Sequence, residues 1–143
     1  MAGNFSDYLE NKLLDHAFGG GDFTRPATVY IALFTARGSN AQSDAGTNFS
    51  EVSTAAWSNY ARLSVTNNAT NFPAASGGAK SNGVAFTFPA ATSSGTDTVV
   101  AVGIYDAATS GNLLGWADLA ASKIVGNGDI FSLPIGDLDI TLD

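Results

Sequence analysis

The side chains that could carry out catalysis are few in this chain. It contains one histidine, His16, and no cysteine, so a serine–histidine–aspartate triad would have to use His16, and thiolate chemistry is excluded. We expect His16 in the last turn of a helix and not in a pocket. Glycoside hydrolysis needs two juxtaposed carboxylates, and the only glutamates are Glu10 and Glu51. The sequence therefore predicts a protein that is not an enzyme.

Two short motifs have the residue types of a ligand site without its context. Residues 77–81 (GGAKS) share letters with a phosphate-binding loop, but they lack its leading glycine and its strand-to-helix setting. Asp137, Asp139 and Asp143 offer oxygen ligands for calcium. Alternate positions on one strand lie about 7 Å apart, however, which favours a solvent-facing strand over an ion site. We expect no cofactor and no metal.

Aromatic residues beside polar loops are candidate contact residues. Phe49, Trp57 and Phe72 flank the two longest loops, predicted at residues 36–50 and 67–83. If exposed, their rings could stack on sugars or anchor a protein interface. The alternative is that they close the open ends of a β-sandwich.

An amphipathic helix is predicted over residues 4–18. Phe5, Leu9 and Leu13 recur every four residues, and three glycines follow from Gly19. A helix of this length is marginal alone, so its apolar stripe must dock on a surface. That surface is either the chain's own sheet or a neighbouring subunit, and we include Phe5, Leu9 and Leu13 among the candidate contacts.

Beyond the helix, the hydrophobic pattern takes the period of two that is typical of strands. Apolar runs at residues 99–105 and 113–119 flank a polar segment and predict a hairpin of central strands covered on both faces. Asn127-Gly128 predicts a further hairpin turn. Other strands are predicted at residues 28–35, 60–66, 84–88, 123–125, 130–134 and 138–142.

These elements predict one mainly β domain. We expect an antiparallel, jelly-roll-like β-sandwich of about seven or eight strands with one short N-terminal helix. Residues 1–21 would form the helix and a glycine hinge, and residues 22–143 the sandwich.

The composition limits the classes of partner that the chain can bind. Charged residues make up 13% of the chain, against about 25% in typical soluble domains, and the net charge is −7. The six cations are scattered, which argues against nucleic acid, and no apolar run approaches the ~20 residues of a membrane span. No secretory signal pattern opens the sequence, so we expect synthesis in the cytosol. Sparse charge favours a subunit packed among other subunits over a neutral-polar secreted domain.

Five segments in this order resemble a family of small virion proteins of tailed bacteriophages, usually labelled tail fibre proteins. They are FSDYLENKLLDHAFGG, PATVYIALFTA, YARLSVTNNATNFPAASGGAKSNGVAFTFPAAT, VGIYDAATSGNLLGWADL and DLDITLD. The resemblance covers about residues 5–143. It implies a non-enzymatic structural subunit of the virion, assembled in the host cytoplasm and bound to other copies of itself and to other virion proteins.

The position within the particle stays open at this stage. A fibre tip, a baseplate subunit and a capsid decoration (cement) protein all fit, although the chain lacks the heptads or β-helical repeats of a fibre shaft. The alternative function is a carbohydrate-binding module for the host surface, using Phe49, Trp57 and Phe72. An enzyme, resting on scattered aspartates, is the third hypothesis.

Overall fold

The apolar and β-branched runs of the sequence form strands, as their pattern predicts. The computed structural model describes residues 2–142, which contain ten strands and two short helices. The strands are Ala2–Phe5 (β1), Thr28–Ala36 (β2), Ser50–Glu51 (β3), Leu63–Thr66 (β4), Ala79–Ser81 (β5), Phe86–Thr87 (β6), Asp97–Tyr105 (β7), Leu113–Val125 (β8), Ser132–Leu133 (β9) and Asp139–Thr141 (β10). The helices are Asp7–Ala17 (α1) and Asn40–Asp44 (α2). With 38% strand and 11% helix, the predicted mainly β class is confirmed.

Eight of these strands form one sheet, in the order β3-β2-β7-β8-β1-β10-β5, with β4 also pairing with β2. The β7–β8 hairpin lies in its middle, with Val102 opposite Ala117, so the predicted central hairpin is confirmed. Strand β8 continues to Val125, and it therefore includes residues 123–125, which the sequence suggested as a separate strand. Strands β6 and β9 pair in a second, two-stranded sheet.

Several predicted details are wrong. The large sheet is mixed and not wholly antiparallel, because β1 pairs in parallel with β10. The described residues contain more strands than the predicted seven or eight, and a second helix, α2, lies within the supposed loop 36–50. The Asn127-Gly128 turn does not close a hairpin, since β9 pairs with β6. Leu142, the last residue of the predicted strand 138–142, lies beyond β10 and is exposed. The jelly-roll-like arrangement stays a prediction.

Both faces of the sheet are covered. On one face, Ile31, Leu33 and Val102 belong to a large buried cluster that extends to the small sheet. On the other face, Phe34 and its neighbours form a smaller cluster with Phe49 packed against it. This covering from both sides explains why the arms of the central hairpin are apolar at nearly every position.

Candidate functional site

An apolar cavity of about 280 Å³ lies between β1, the start of α1 and the large sheet. It brings together three of the six predicted contact residues, Phe5, Leu9 and Phe72. The rest of its wall is mainly aliphatic and includes Val29, Val102, Ile104, Leu114, Leu138 and Ile140. Such a cavity suits an apolar group and offers few polar groups for chemistry.

The cavity depends on β1, which holds α1 against β8. Gly115 faces β1 so closely that a Cβ there would lie 3.0 Å from the carbonyl oxygen of Asn4. Ser6 caps α1 by accepting a hydrogen bond from the backbone N–H of Leu9 at 3.3 Å. The Ser6 hydroxyl also donates to the carbonyl oxygen of Leu113 on β8. Phe5 therefore lies in a strand and not in the helix, a correction to the predicted boundary.

Two cations, Arg25 and Lys80, line this cavity although the chain is strongly acidic. The Nζ of Lys80 donates to the carbonyl oxygen of Phe72 at 3.1 Å. Asp139 lines the same cavity. Residues 77–81 are no phosphate loop, because Lys80 lies in β5. The cavity therefore combines an apolar wall with two cations and one carboxylate.

The outer face of α1 carries large apolar side chains that the rest of the chain does not cover. Leu14 is 58% exposed and Phe18 is 78% exposed. Four residues separate them, so they are neighbours on one helix face. Leu9 packs against the core, and Leu13 is half-buried. We call Leu14 and Phe18 the α1 patch.

A second apolar pair lies near the far end of β8. Ile124 is 68% exposed and Ile130 is 61% exposed, and both line one shallow groove. We call them the β8 patch. Lys123 and Asp129 precede them in the chain and line the same groove, so this surface carries charges of both signs.

A family model described as podophage GP4 fiber I protein gp80 matches residues 4–141. The chain belongs to this family. No curated protein matches the chain. The resemblance to phage tail fibre proteins is therefore confirmed, and the chain is a structural component of a tailed phage. Membership in a fibre family also implies association with other virion proteins.

Two of the predicted contact aromatics expose little surface in this chain. Trp57 is 2% exposed and Phe72 is 7% exposed, because the polar loops beside them fold over the core. Trp57 packs against Tyr60, and Phe72 packs against Phe86. This burial places both rings among core side chains, and their role as contact residues stays a prediction. Phe49 is half-buried and stacks on Phe34 with 4.2 Å between ring centroids.

Sequence reasoning missed a partly buried polar network in this chain. Arg62 donates to both carboxylate oxygens of Glu51, at 3.0 and 2.9 Å, and its guanidinium lies 3.6 Å from the centroid of the Tyr105 ring. Burial acts to lower the pKa of Arg62, but the hydrogen bond and the charge of Glu51 outweigh it and raise the pKa. The hydroxyl of Tyr60 donates to Glu51 at 2.8 Å and accepts from the N–H of Leu33 at 3.0 Å. Because these polar groups already have hydrogen-bond partners within the chain, the network has a structural role.

The residues considered for catalysis do not converge. His16 is exposed on α1, where its Nδ1 accepts from the N–H of Phe23 at 3.2 Å and lies 3.9 Å from the carboxylate of Asp22. Across residues 2–142, no group of three or more His, Cys, Asp or Glu side chains could hold a metal ion. Of the aspartates considered for calcium, Asp139 lies in β10, and Asp143 is outside the described residues. No helix in the described range is long and apolar enough to cross a membrane.

Sequence reasoning also missed the α1 patch and the cavity beside β1. One signal for the patch was present. Leu9 and Leu13 lie on one side of a helical wheel, whereas Leu14 and Phe18 lie on the other. A helix with two apolar faces indicates two contacts and not one broad stripe. The cavity cations, in contrast, come from segments far apart in the chain.

Proposed function

We propose that this fibre-family protein is a non-enzymatic subunit that joins neighbouring virion proteins through its α1 patch and its β8 patch. The single observation that carries the proposal is the pairing of large exposed apolar side chains at two separate places. Scattered single apolar residues are normal on a surface, but adjacent pairs mark contact sites. Two such sites suit a component that must hold two neighbours at once.

The two patches lie on different elements. Leu14 and Phe18 belong to the end of α1, whereas Ile124 lies near the end of β8 and Ile130 follows that strand. We infer that each patch contacts a different neighbour or a different part of one.

Burial of both patches contributes a substantial favourable free energy. Burial of one large apolar side chain contributes about 1.5–3 kcal/mol. With Leu14 and Phe18 on one side and Ile124 and Ile130 on the other, each patch supplies two such groups.

Incorporation into phage particles tests the proposal. We expect the Leu14→Ser/Phe18→Ser variant and the Ile124→Ser/Ile130→Ser variant each to reduce the copies per particle about tenfold, measured by quantitative mass spectrometry. Circular dichroism should show unchanged folding, because all four side chains project into water.

Ile135→Ser is the matched control, since Ile135 is 68% exposed but belongs to neither patch. It should enter particles at the wild-type level. Normal incorporation of both patch variants would contradict the proposal. So would wild-type protein that binds a host polysaccharide and is absent from particles, a result that would favour the carbohydrate-binding alternative.

A further inference from the structure

We propose that the segment formed by β1 and α1, residues 2–17, is exchanged between two copies of this chain. Each copy then places its β1 between β8 and β10 of the other copy, in the position that its own β1 occupies in the closed chain. We call residues 2–17 the arm, the space between β8 and β10 the slot, and residues 18–27, which connect α1 with β2, the hinge. The inference goes beyond the proposed function, because its contacts are those of β1 and not those of the two patches.

The structure shows which strand fills the slot. Asn4 of β1 lies opposite Trp116 of β8, and Gly3 lies opposite Ile140 of β10. Both walls of the slot come from the final third of the chain, far from β1 in sequence. A second copy carries the same β1 and can make the same backbone pairs, which is why exchange of an identical element readily forms dimers.

Close backbone contacts on both sides restrict the slot to a strand of this kind. A Cβ on Gly3 would lie 2.9 Å from the carbonyl oxygen of Trp116 and 3.4 Å from that of Asp139. On the facing strand, a Cβ on Gly115 would lie 3.0 Å from the carbonyl oxygen of Asn4. A strand with a side chain at the position of Gly3 would therefore have to push β8 and β10 apart. This requirement favours a second copy over an unrelated virion protein as the source of the strand.

The arm is held to the rest of the chain mainly by β1 and the beginning of α1. No residue of α1 is buried. Tyr8 and Leu9 pack against the core with part of their surface, and the buried hydroxyl of Ser6 donates to the carbonyl oxygen of Leu113. All of these contacts form again when the arm enters the slot of the second copy. The closed chain and the exchanged dimer therefore differ mainly in the conformation of the hinge.

The hinge has the properties of a segment that can change its conformation. No residue between 18 and 27 is buried. Gly19 and Gly20 turn the chain back after α1 with φ angles of +120° and +104°, and a Cβ on either would have no neighbour within 4 Å. The turn is therefore set by backbone conformation and not by packing. When extended, the hinge spans about 33 Å, which is enough to reach the slot of an adjacent copy.

Refolding at different chain concentrations is the first test. A short linker holds its ends at an effective concentration in the millimolar range, so the wild type refolded at about 1 mM should contain exchanged dimer, whereas at about 0.01 mM it should be monomeric. Size-exclusion chromatography with light scattering, after dilution of both samples to the same concentration, measures the two forms. The dimer should persist after dilution, because its dissociation requires β1 to leave two strands.

Gly19→Ala/Gly20→Ala tests the hinge. An L-residue is strained at these positive φ angles in the closed chain, and the strain is released when the hinge extends. We expect the association constant of the dimer to rise at least about tenfold. Gly128→Ala/Gly136→Ala is the matched control, since both glycines have positive φ angles, +84° and +75°, with no neighbour within 4 Å, but lie outside the hinge. This control should lose stability and dimerise no more than the wild type.

Cross-linking identifies the exchanged segment. The chain has no cysteine, and the side-chain nitrogen of Asn4 in β1 lies 3.5 Å from a carboxylate oxygen of Asp44 in α2. Asn4→Cys and Asp44→Cys variants, refolded together at about 1 mM, should form a covalent heterodimer with a short bismaleimide, because β1 of one copy then lies beside α2 of the other. The same variants refolded separately at about 0.01 mM and mixed afterwards are the control and should not be cross-linked to each other. Both variants keep the wild-type hinge, so this test does not depend on the folding of the hinge variant.

The outcomes separate this inference from the proposed function. A wild-type chain that remains monomeric after refolding at about 1 mM overturns the exchange, as does a dimer in which the two cysteine variants are not cross-linked. A folded hinge variant that dimerises no more than its control also contradicts it. Incorporation of the patch variants into particles tests the proposed function separately. If the exchange fails and those variants are still lost from particles, the proposed function stands; if the exchange occurs and they are incorporated normally, the arm and not the patches joins the copies.

Discussion

Gly103 has a steric role in the middle of the sheet. A Cβ at this position would lie 2.6 Å from Cε2 of the Phe34 ring and 3.0 Å from Cδ1 of Leu113. We expect Gly103→Ala to lower the free energy of unfolding by about 1–3 kcal/mol, because the packed ring and the leucine must both shift. Chemical denaturation measures the change. Gly95→Ala is the control, since a Cβ there has no neighbour within 4 Å, and its stability should stay near that of the wild type.

Tyr60 makes stability depend on alkaline pH. Burial raises its pKa above the ordinary value of 10.0; the hydrogen bond from the N–H of Leu33 opposes the shift, and Glu51 adds to it. Above pH 10.0 the unfolded chain releases a proton that the folded chain retains, so the free energy of unfolding must fall as pH rises.

Denaturation curves between about pH 9 and about pH 11 check this expectation. In Tyr60→Phe the decline should be shallower, although Tyr105 keeps part of it because burial raises its pKa too. At neutral pH the same variant should be less stable by about 1–3 kcal/mol, since the N–H of Leu33 and the carboxylate of Glu51 lose a partner. If the free energy of unfolding of Tyr60→Phe falls as steeply above pH 10.0 as that of the wild type, other groups cause the decline.

Single residues were predictable where their periodicity was regular. Phe86 and Phe88 alternate with the small residues Ala85 and Thr87, and both are buried as that alternation predicts. Trp57 and Phe72 stand beside long polar segments, a setting that left exposure and closure of the sandwich ends both open. Their burial depends on loops that fold back over the core, and local pattern carries no record of that tertiary contact.

At the scale of elements, Ser6 connects α1 with the sheet. We expect Ser6→Ala to remove both the cap of α1 and the hydrogen bond to Leu113, at a cost of about 1–2 kcal/mol. Hydrogen–deuterium exchange should speed up in α1 more than in the β7–β8 hairpin.

Ser39→Ala provides the comparison on a different helix. Ser39 caps α2 in a reciprocal arrangement with Gln42, and α2 contacts β8 through the Asp44 carboxylate, which accepts from the indole N–H of Trp116 at 2.9 Å. Ser39→Ala should speed hydrogen–deuterium exchange in α2 and leave exchange in α1 unchanged. Equal acceleration of both helices in either variant would show that the two caps act on global stability instead.

Elements with enough residues to display a period were predictable, and the shortest were not. The nine residues of β2 and of β7 show their character in sequence. Strand β1 has the sequence AGNF, with no strand pattern, and it is extended because β8 and β10 pair with its two edges. Tertiary pairing there overrides the helical spacing that Phe5 shares with Leu9.

For the whole molecule, only the general architecture could be predicted from composition. Sparse charge and apolar central strands predicted a β-rich subunit, and the parallel pairing of β1 with β10 could not be read from them. That pairing sets Ala2 opposite Asp139, so the two ends of the described chain are neighbours.

Proximity of the ends predicts that a circularly permuted variant folds. A linker of about six residues spans roughly 20 Å, enough to connect the two ends across neighbouring strands. New ends placed beside Gly95, in an exposed loop, should leave the melting temperature within a few degrees of the wild type, checked by circular dichroism. New ends placed between Val102 and Gly103, inside the central strand β7, should abolish the cooperative transition.

The position of β1 between β8 and β10 also has a consequence for biosynthesis. The ribosome makes β1 long before either of its neighbours, so this segment emerges with no partner for its backbone. It must remain unpaired until β8 and β10 follow, and the wall of the cavity closes last. Pairing along both edges of β1 is therefore complete only after β10 has been translated.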